Sequence, residues 1–153
     1  MDAARRRALI EQYKDGYRAV RAALDQFTEE ELDARPVDGW TPREIAHHLA
    51  DSETMSYIRL RRLLAEDHPA LQGYDEPEYA RRLHYDRPIA SSLEVFQAVR
   101  VASAELLDAI GEEEWAREGT HSESGRYTMD DWLEIYAAHA HDHAAQILRA
   151  HGR

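Results

Sequence analysis

Apolar side chains recur every three or four residues over four long stretches of this chain, and this spacing constrains the fold more than any other feature. The stretches cover about residues 2–26, 42–66, 91–110 and 128–150. A period of three to four residues places apolar side chains along one face of an α-helix. Strand-type alternation is not sustained in any segment, and 7 glycines and 5 prolines are too few for a turn-rich β-protein. The sequence therefore predicts an all-α protein.

The second helix has the clearest start signal. In Thr41–Glu44 a threonine can cap the helix, a proline occupies the first helical position, and a glutamate stands three residues after the cap. Four long helices in a single domain, residues 1–153, predict a four-helix bundle with ligand sites between facing helices. The connection between the second and third helices has about 24 residues, with one short helix near 78–83, and is too long for a simple hairpin. We expect it to form a crossover or a loop that covers a site.

Composition excludes several kinds of chemistry. The chain has no cysteine, so disulfides, cysteine-bound zinc, iron–sulfur clusters and a cysteine nucleophile are excluded. It carries 19 basic and 30 acidic residues, and this net charge of −11 disfavours binding to nucleic acid or to anionic membranes. No basic and then apolar leader opens the sequence, and no apolar run approaches the roughly 18 residues of a membrane span. We expect a cytoplasmic protein.

Histidine is abundant, with nine residues, and three of these lie close together in the fourth helix. His139 and His143 are one helical turn apart, so they can present two imidazoles to one metal ion, whereas His141 points away. Both fall on the apolar side of their helix, where an unpartnered imidazole is costly. A metal ion would satisfy both rings.

The second helix offers a third imidazole. Helical phase places His48 about 60° from the core residue Ile45 and His47 about 160° away, so His48 is expected to face inward and His47 outward. Three imidazoles with no fourth protein ligand would form an open site of the catalytic type. The residues alone leave an equal alternative, in which His48 is a core histidine bonded to a carbonyl and the helix-four pair binds no metal. The remaining histidines are expected to be solvated: His68, His84, His121 and His151.

Six stretches, spread in order over nearly the whole chain, carry a more specific pattern. They are Gly39–Ser52, Tyr57–Arg59, Glu66–Pro69, Tyr74–Glu76, Glu123–Arg126 and Tyr136–Ile147. In this order they resemble the DinB/YfiT superfamily, and most of all its YfiT branch. The resemblance implies a four-helix bundle in which His48, His139 and His143 hold one divalent metal ion. Two positions depart from the pattern, since Asp142 and Ala145 stand where relatives often have histidine and glycine.

The resemblance also implies a function: an enzyme that acts on a small molecule, as a metal-dependent hydrolase or as a transferase of low-molecular-weight thiols. The nucleophile would be metal-bound water or a thiolate supplied by the co-substrate. Three imidazoles suit zinc, nickel, copper or iron, with zinc or nickel expected here, and the resemblance implies a homodimer. Asp51 and Gln146 are candidate catalytic helpers, although both are equally readable as helix-surface polar groups. Arg100 could anchor a carboxylate, although a side chain that extends to solvent along the apolar surface is the preferred interpretation.

A different class of function stays open. No His-Glu-x-x-His element supplies a general base, because the residues between His139 and His143 are Ala140, His141 and Asp142. The alternative is therefore a non-catalytic metal-binding or stress-induced helical scaffold. A weaker alternative is a dimerising helical module whose histidines tune a response to pH.

Overall fold

The computed structural model describes residues 1–36 and 39–151, and most of these residues lie in helices. The helices are α1 (Ala3–Leu24), α2 (Pro42–Ala65), α3 (Glu76–Arg82), α4 (Ala90–Ala109), α5 (Glu112–Trp115) and α6 (Met129–His151), with a 3₁₀ turn at Glu31–Asp33. Three short strands complete the fold: β1 (Ala70–Leu71), β2 (Glu118–His121) and β3 (Gly125–Thr128). No helix in the described ranges is both long and apolar enough to cross a membrane.

The four predicted long helices are α1, α2, α4 and α6, and the predicted four-helix bundle is confirmed. Helix α1 packs against α6 and α4, while α2 packs against the same two helices. The helices α1 and α2, consecutive long helices in the chain, are thus at opposite corners of the bundle. This arrangement places the C-terminal helix between them, so side chains of α2 and α6 face each other.

The start of α2 follows the predicted capping scheme. The Thr41 hydroxyl accepts from the Glu44 backbone N–H at 3.2 Å, and the Glu44 carboxylate accepts from the Thr41 N–H at 2.9 Å. Helix α4 begins slightly earlier than its sequence signal suggests, at Ala90, without a side-chain cap. Ser92, in the first turn of α4, contacts an imidazole of α2.

A small sheet is present that the sequence pattern does not reveal. Strand β1 pairs in parallel with β2, and β2 pairs antiparallel with β3. Strands of two to four residues are too short to show alternation, which explains why the period analysis misses them. The sheet ties the connection after α2 to the segment before α6, and it thereby fixes the loops that surround one part of the bundle.

The apolar interior has two parts, separated by a buried polar layer. One part is built around Trp132, Leu60 and Leu63, and the other around Phe96 and Ile45. In the layer between them, the Arg100 guanidinium forms an ion pair with the carboxylate of Glu53 at 2.8 Å. Helix α1 approaches this layer at Gly16, where an added Cβ would collide with the guanidinium of Arg100 and with the Cβ of Ala140. A glycine is required there because no side chain fits.

Candidate metal centre

The three predicted histidines lie together where α2 faces α6. His48 comes from α2, and His139 and His143 come from successive turns of α6. One ring nitrogen of each lies within 4.8 Å of the corresponding nitrogens of the other two. Among the side chains that the structure describes, this is the one group of three or more metal-donor residues with such spacing. The prediction that these three residues come together is therefore supported by the geometry.

Hydrogen bonds fix the orientation of two of the three rings. The Nδ1–H of His139 donates to Oε1 of Glu53 at 2.9 Å, and the Nδ1–H of His143 donates to Oε1 of Gln146 at 2.9 Å. These acceptors select the tautomer of a neutral ring in which Nδ1 carries the proton and Nε2 keeps its lone pair. A partner on the far nitrogen is the usual arrangement for metal-ligating histidines, because it sets both the tautomer and the ring angle.

His48 supplies an independent test of whether a metal ion fits. Its side chain is buried, and its Nδ1 has no hydrogen-bond partner in the described part of the chain. A buried polar atom without a partner costs free energy, so such atoms call for an explanation. A divalent cation between the three imidazoles matches the donor set, since imidazole nitrogen is a good ligand for zinc and for related transition metals.

The electrostatics favour neutral rings. Burial, and after it the neighbouring imidazoles of His143 and His139, together lower the pKa of His48 to about 3. Burial, followed by the proximity of His139, also lowers the pKa of His143 to about 4. Both rings are therefore unprotonated at neutral pH, as metal ligation requires.

Glu53 is the functional residue that the sequence reasoning misses. It is 1% exposed, and its Oε1 accepts both from His139 and from Arg100. Burial alone would raise the pKa of this carboxyl group, but the Arg100 charge and the His139 hydrogen bond produce a net lowering. A signal was available, because Glu53 lies four residues after Leu49 and so falls on the apolar face of α2. A charged residue on a core-facing stripe needs a buried partner.

Arg100 is that partner, and the expectation of a solvent-reaching side chain is wrong. It is 2% exposed, and besides its ion pair it donates to the backbone carbonyls of Tyr13 and Tyr136. It anchors a carboxylate of the protein, that of Glu53, within the bundle. Arg100, Glu53 and His139 therefore form a continuous polar chain from the bundle centre to the histidine cluster.

The expectation that His47 faces outward is also wrong. Its side chain is fully buried, its Nδ1 lies 2.8 Å from Oγ of Ser92, and its Nε2 lies 2.9 Å from the carbonyl oxygen of Arg87. Helical phase predicts one buried face for α2, but α4 and the segment leading into it cover a second face. His47 is thus a core histidine with both ring nitrogens satisfied by protein.

The two candidate helpers lie on different helices, Gln146 on α6 and Asp51 on α2. Gln146 contacts the cluster directly through His143. Asp51 instead accepts a hydrogen bond from the Tyr85 hydroxyl at 2.6 Å, on the same side of α2 as His47. The geometry therefore gives Gln146, and not Asp51, a direct contact with a histidine of the cluster.

The other histidines divide differently from the expectation. His68 and His84 are exposed, as predicted, and the side chain of His151 lies outside the described residues. His121 was expected to be solvated but is 8% exposed, because β2 carries it inward against the ring of Tyr127. His141, between the two cluster histidines of α6, is partly buried, and its Nε2 contacts the carbonyl oxygen of Gln12.

The cluster opens into a cleft of about 370 Å³. Trp40 lies edge-on to His48, with ring centroids 4.7 Å apart, and Glu76 of α3 also lines the cleft. Gly39 precedes the tryptophan with φ of +112°, a conformation that favours glycine. A second concavity of about 380 Å³ beside Arg35 contains no comparable cluster, so donor chemistry and not size selects the site. The connection between α2 and α4 thus covers part of the site.

The fold and this site define a class of protein: a four-helix bundle with an open three-histidine cluster between two facing helices. The model of the DinB superfamily matches residues 12–147 of this chain. The chain therefore belongs to the DinB superfamily, and the predicted resemblance is confirmed.

Individual relatives agree with this membership. A protein of Oceanobacillus iheyensis named "Putative metal-dependent hydrolase" is 34% identical over 139 residues, which cover 90% of this chain and 81% of the relative. "Putative metal-dependent hydrolase YfiT" of Bacillus subtilis is 32% identical over 84% of this chain and 74% of its own length. The solved structure of YfiT, described as "a probable metal-dependent hydrolase with an unusual four-helix bundle topology", superposes with a TM-score of 0.91 at 27% identity. That superposition covers 98% of this chain and 87% of YfiT.

Proposed function

We propose that this protein is a metal-dependent enzyme in which His48, His139 and His143 hold one divalent ion, zinc or nickel. It acts on a small molecule, either as a hydrolase or as a transferase of low-molecular-weight thiols. The observation that carries this proposal is the convergence of three imidazoles from two helices, with one ring nitrogen of each within 4.8 Å of the others, beside a cleft that all three line. The names of the relatives support metal-dependent hydrolysis as the reaction class.

The protein's own residues would orient the ligands and leave room for a substrate. Glu53 and Gln146 hold the Nδ1 side of two rings, so both Nε2 atoms are aimed consistently. When bound, a divalent metal supplies Lewis acidity, which lowers the pKa of a water or thiol that it coordinates. Because the chain has no cysteine, the thiol of a transferase reaction would come from the co-substrate.

The arrangement favours an enzyme over a closed metal-binding scaffold. Structural metal sites are usually filled by four protein ligands, whereas catalytic sites keep a position for water or substrate. Here the described side chains offer three donors, and the cluster faces a cleft lined by Trp40 and Glu76. A substrate could therefore reach the fourth position.

Metal content and activity test the site together. Protein purified without added metal should contain about one equivalent of a divalent transition metal, measured by elemental analysis. His139→Ala and His143→Ala should lose that metal while keeping the helical circular-dichroism spectrum. His141→Ala is the matched control, because His141 lies between them on α6 but contacts the backbone of α1. Metal retained by both ligand variants would show that the site is wrong.

The two reaction types can be separated with a single electrophilic ester substrate. A hydrolase should turn it over in buffer alone, and a chelator should stop the reaction. A thiol transferase should require an added low-molecular-weight thiol and should form the thioester, detectable by mass spectrometry, with release of the ester's alcohol. Turnover in neither condition, by metal-loaded protein, across a panel of esters and alkyl halides would favour the scaffold.

We propose a cytoplasmic homodimer that acts on small molecules and not on nucleic acid or membranes. The acidic balance of the chain supports the absence of a nucleic-acid partner. Analytical ultracentrifugation should give a mass near twice 17.7 kDa. A monomer at micromolar concentration would contradict the dimer.

A further inference from the structure

A second, smaller cleft of about 190 Å³ lies beside the cleft at the histidine cluster. His139 and Glu76 line both clefts, so the two clefts adjoin at these residues. Its walls come from α2, from the loop before α3, from the sheet and from α6. None of its remaining side chains has a role in holding the metal, which raises the question of what this second cleft binds.

Arg59 supplies the positive charge of the second cleft. Its Nη1 donates to the Tyr136 hydroxyl at 3.0 Å, and its Nη2 donates to the carbonyl oxygen of Gln72 at 2.9 Å. A guanidinium has five N–H donors, so these two bonds leave most of its capacity unused. No carboxylate of the described residues pairs with it within 4.0 Å. In a chain with 30 acidic and 19 basic residues, this arginine is available for an anion from outside the protein.

Other hydrogen-bond donors line the same cleft. The Tyr136 hydroxyl accepts from Arg59 and keeps its own hydrogen to donate. The Tyr74 hydroxyl is buried and has no partner with hydrogen-bond geometry in the described part of the chain, although Ser52 is near enough to affect its pKa. His121 accepts from the Glu123 backbone N–H through Nδ1, so its neutral ring carries the proton on Nε2. The cleft therefore combines one guanidinium with several neutral donors.

Two carboxylates at the edge of the cleft restrict which anion is favoured. Glu76 and Glu123 line it and are exposed, and neither forms an ion pair with a described cation. Their negative charge disfavours an anion that carries two charges, such as phosphate, more than one that carries a single charge. A carboxylate also matches the planar fork of a guanidinium.

We propose that the second cleft binds a carboxylate group of the substrate and that Arg59 determines this specificity. The inference rests on the proposed function, because it treats the histidine cluster as the reaction centre and the second cleft as the place for the far end of the substrate. The reacting group would lie at the histidines, and the carboxylate would lie beside Arg59, Tyr74 and Tyr136. Charged hydrogen bonds of this kind are worth about 1.5–3 kcal/mol, or roughly tenfold to a hundredfold in affinity.

Matched six-carbon probes test the two ends separately. Calorimetric titration of the zinc-loaded protein should show 6-mercaptohexanoate binding at least about tenfold more tightly than 6-mercaptohexanol. Arg59→Met should remove this preference. Arg62→Met should retain it, because Arg62 lies on the same helix but is paired with Glu66 outside the cleft. Thermal unfolding of both variants establishes that they fold.

A measurement on the unmodified protein avoids dependence on the variants. Hexanoate, which has no thiol, should shift the side-chain ¹⁵N–¹H resonance of Arg59 and leave that of Arg62 unchanged. 6-Mercaptohexanoate could bind no more tightly than hexanoate while the Arg59-dependent preference for a carboxylate persists. That result would contradict binding of the thiol at the metal but would support the carboxylate site. Equal binding of the acid and the alcohol, a preference that survives Arg59→Met, or tighter binding of inorganic phosphate than hexanoate at Arg59 would overturn the proposal.

Discussion

The adjacent histidines His47 and His48 of α2 lie in two different environments. The contrast distinguishes a histidine that stabilises the fold from one that is available to bind a metal ion. The crossover face of α2, which carries His47 and Asp51, packs against α4 and the segment before it. There both nitrogens of His47 have protein partners. The cluster face of α2, which carries His48 and Glu53, packs against α6. There Nδ1 of His48 has no partner in the described part of the chain.

Burial does not distinguish the two faces, because His47 and His48 are 0% and 2% exposed. The two faces differ in whether both ring nitrogens of the histidine have hydrogen-bond partners. A fully partnered imidazole stabilises the fold, whereas a buried imidazole with a free nitrogen beside two others is suited to hold a ligand. The carboxylates of α2 differ in the same way. Asp51 accepts a hydrogen bond from a tyrosine, whereas Glu53 accepts one from a histidine of the cluster.

The largest expected effect is on metal affinity, when each of the two histidines is replaced by alanine in a separate variant. His48→Ala should reduce metal affinity by roughly 100-fold to 1,000-fold, since each ligand of a zinc site contributes several kcal/mol. His47→Ala should keep one equivalent of metal but lower the free energy of unfolding of the metal-free protein by about 1–3 kcal/mol, because Ser92 and the Arg87 carbonyl lose their partner. Competition with a chromophoric chelator and urea unfolding measure the two quantities. Equal metal loss in both variants would break the comparison.

Removal of the carboxylate behind the cluster should have the largest effect on stability. Glu53→Ala should lower the free energy of unfolding by about 3–5 kcal/mol, because it leaves the Arg100 charge buried without its partner. Urea unfolding of the metal-free protein measures this. The double variant Glu53→Leu with Arg100→Met should recover most of the loss, since apolar replacements of a buried ion pair are often tolerated. A change below about 1 kcal/mol in Glu53→Ala would mean that the pair is not buried as described.

A smaller pair of effects distinguishes the two candidate helpers. Gln146→Ala removes the acceptor of His143 Nδ1–H and should weaken metal binding by roughly tenfold to a hundredfold. Tyr85→Phe removes the hydrogen bond to Asp51 and should cost about 1 kcal/mol of stability without changing metal affinity. Chelator competition and thermal unfolding on both variants separate these outcomes. Weaker metal binding in Tyr85→Phe would place Asp51 in the site after all.

The cluster face was largely predictable from the sequence. Residues four apart on a helix share a face, which is sufficient to pair His139 with His143. Apolar phase then selected His48 over its neighbour. These inferences depend only on helical periodicity, and the structure matches it because the helices are long and regular.

The crossover face and the polar layer were not predictable in the same way. The partners of His47 lie 40 and 45 residues away, in a segment whose path no local pattern fixes. The ion pair of Glu53 with Arg100 joins residues 47 positions apart. Each member looks like an isolated charge on an apolar face until the helices are packed. The short strands were missed because two to four residues cannot show a period, and with them the inward position of His121.

The smallest expected effect lies remote from both faces, at the start of α6. Asp130 accepts from Arg6 at 2.8 Å and from the chain's amino terminus at 2.7 Å. Burial alone would raise the pKa of Asp130, but these two cations lower it below its ordinary value of 3.8. Because the folded-state pKa lies below the unfolded one, this contribution is complete above about pH 4 and is lost as the pH falls through the folded-state value.

Asp130→Asn should therefore lower the free energy of unfolding by only about 0.5–1 kcal/mol at pH 7, as expected for a partly exposed pair. The difference from the unmodified protein should shrink as the pH falls below about 4, and it should also shrink at high salt because exposed charges are screened. Urea unfolding across this pH range measures both trends, and metal affinity at pH 7 should not change. A loss as large as that expected for Glu53→Ala would show that an ion pair at the bundle's end matters as much as the buried one, and the contrast between the cluster face and the rest of the molecule would fail.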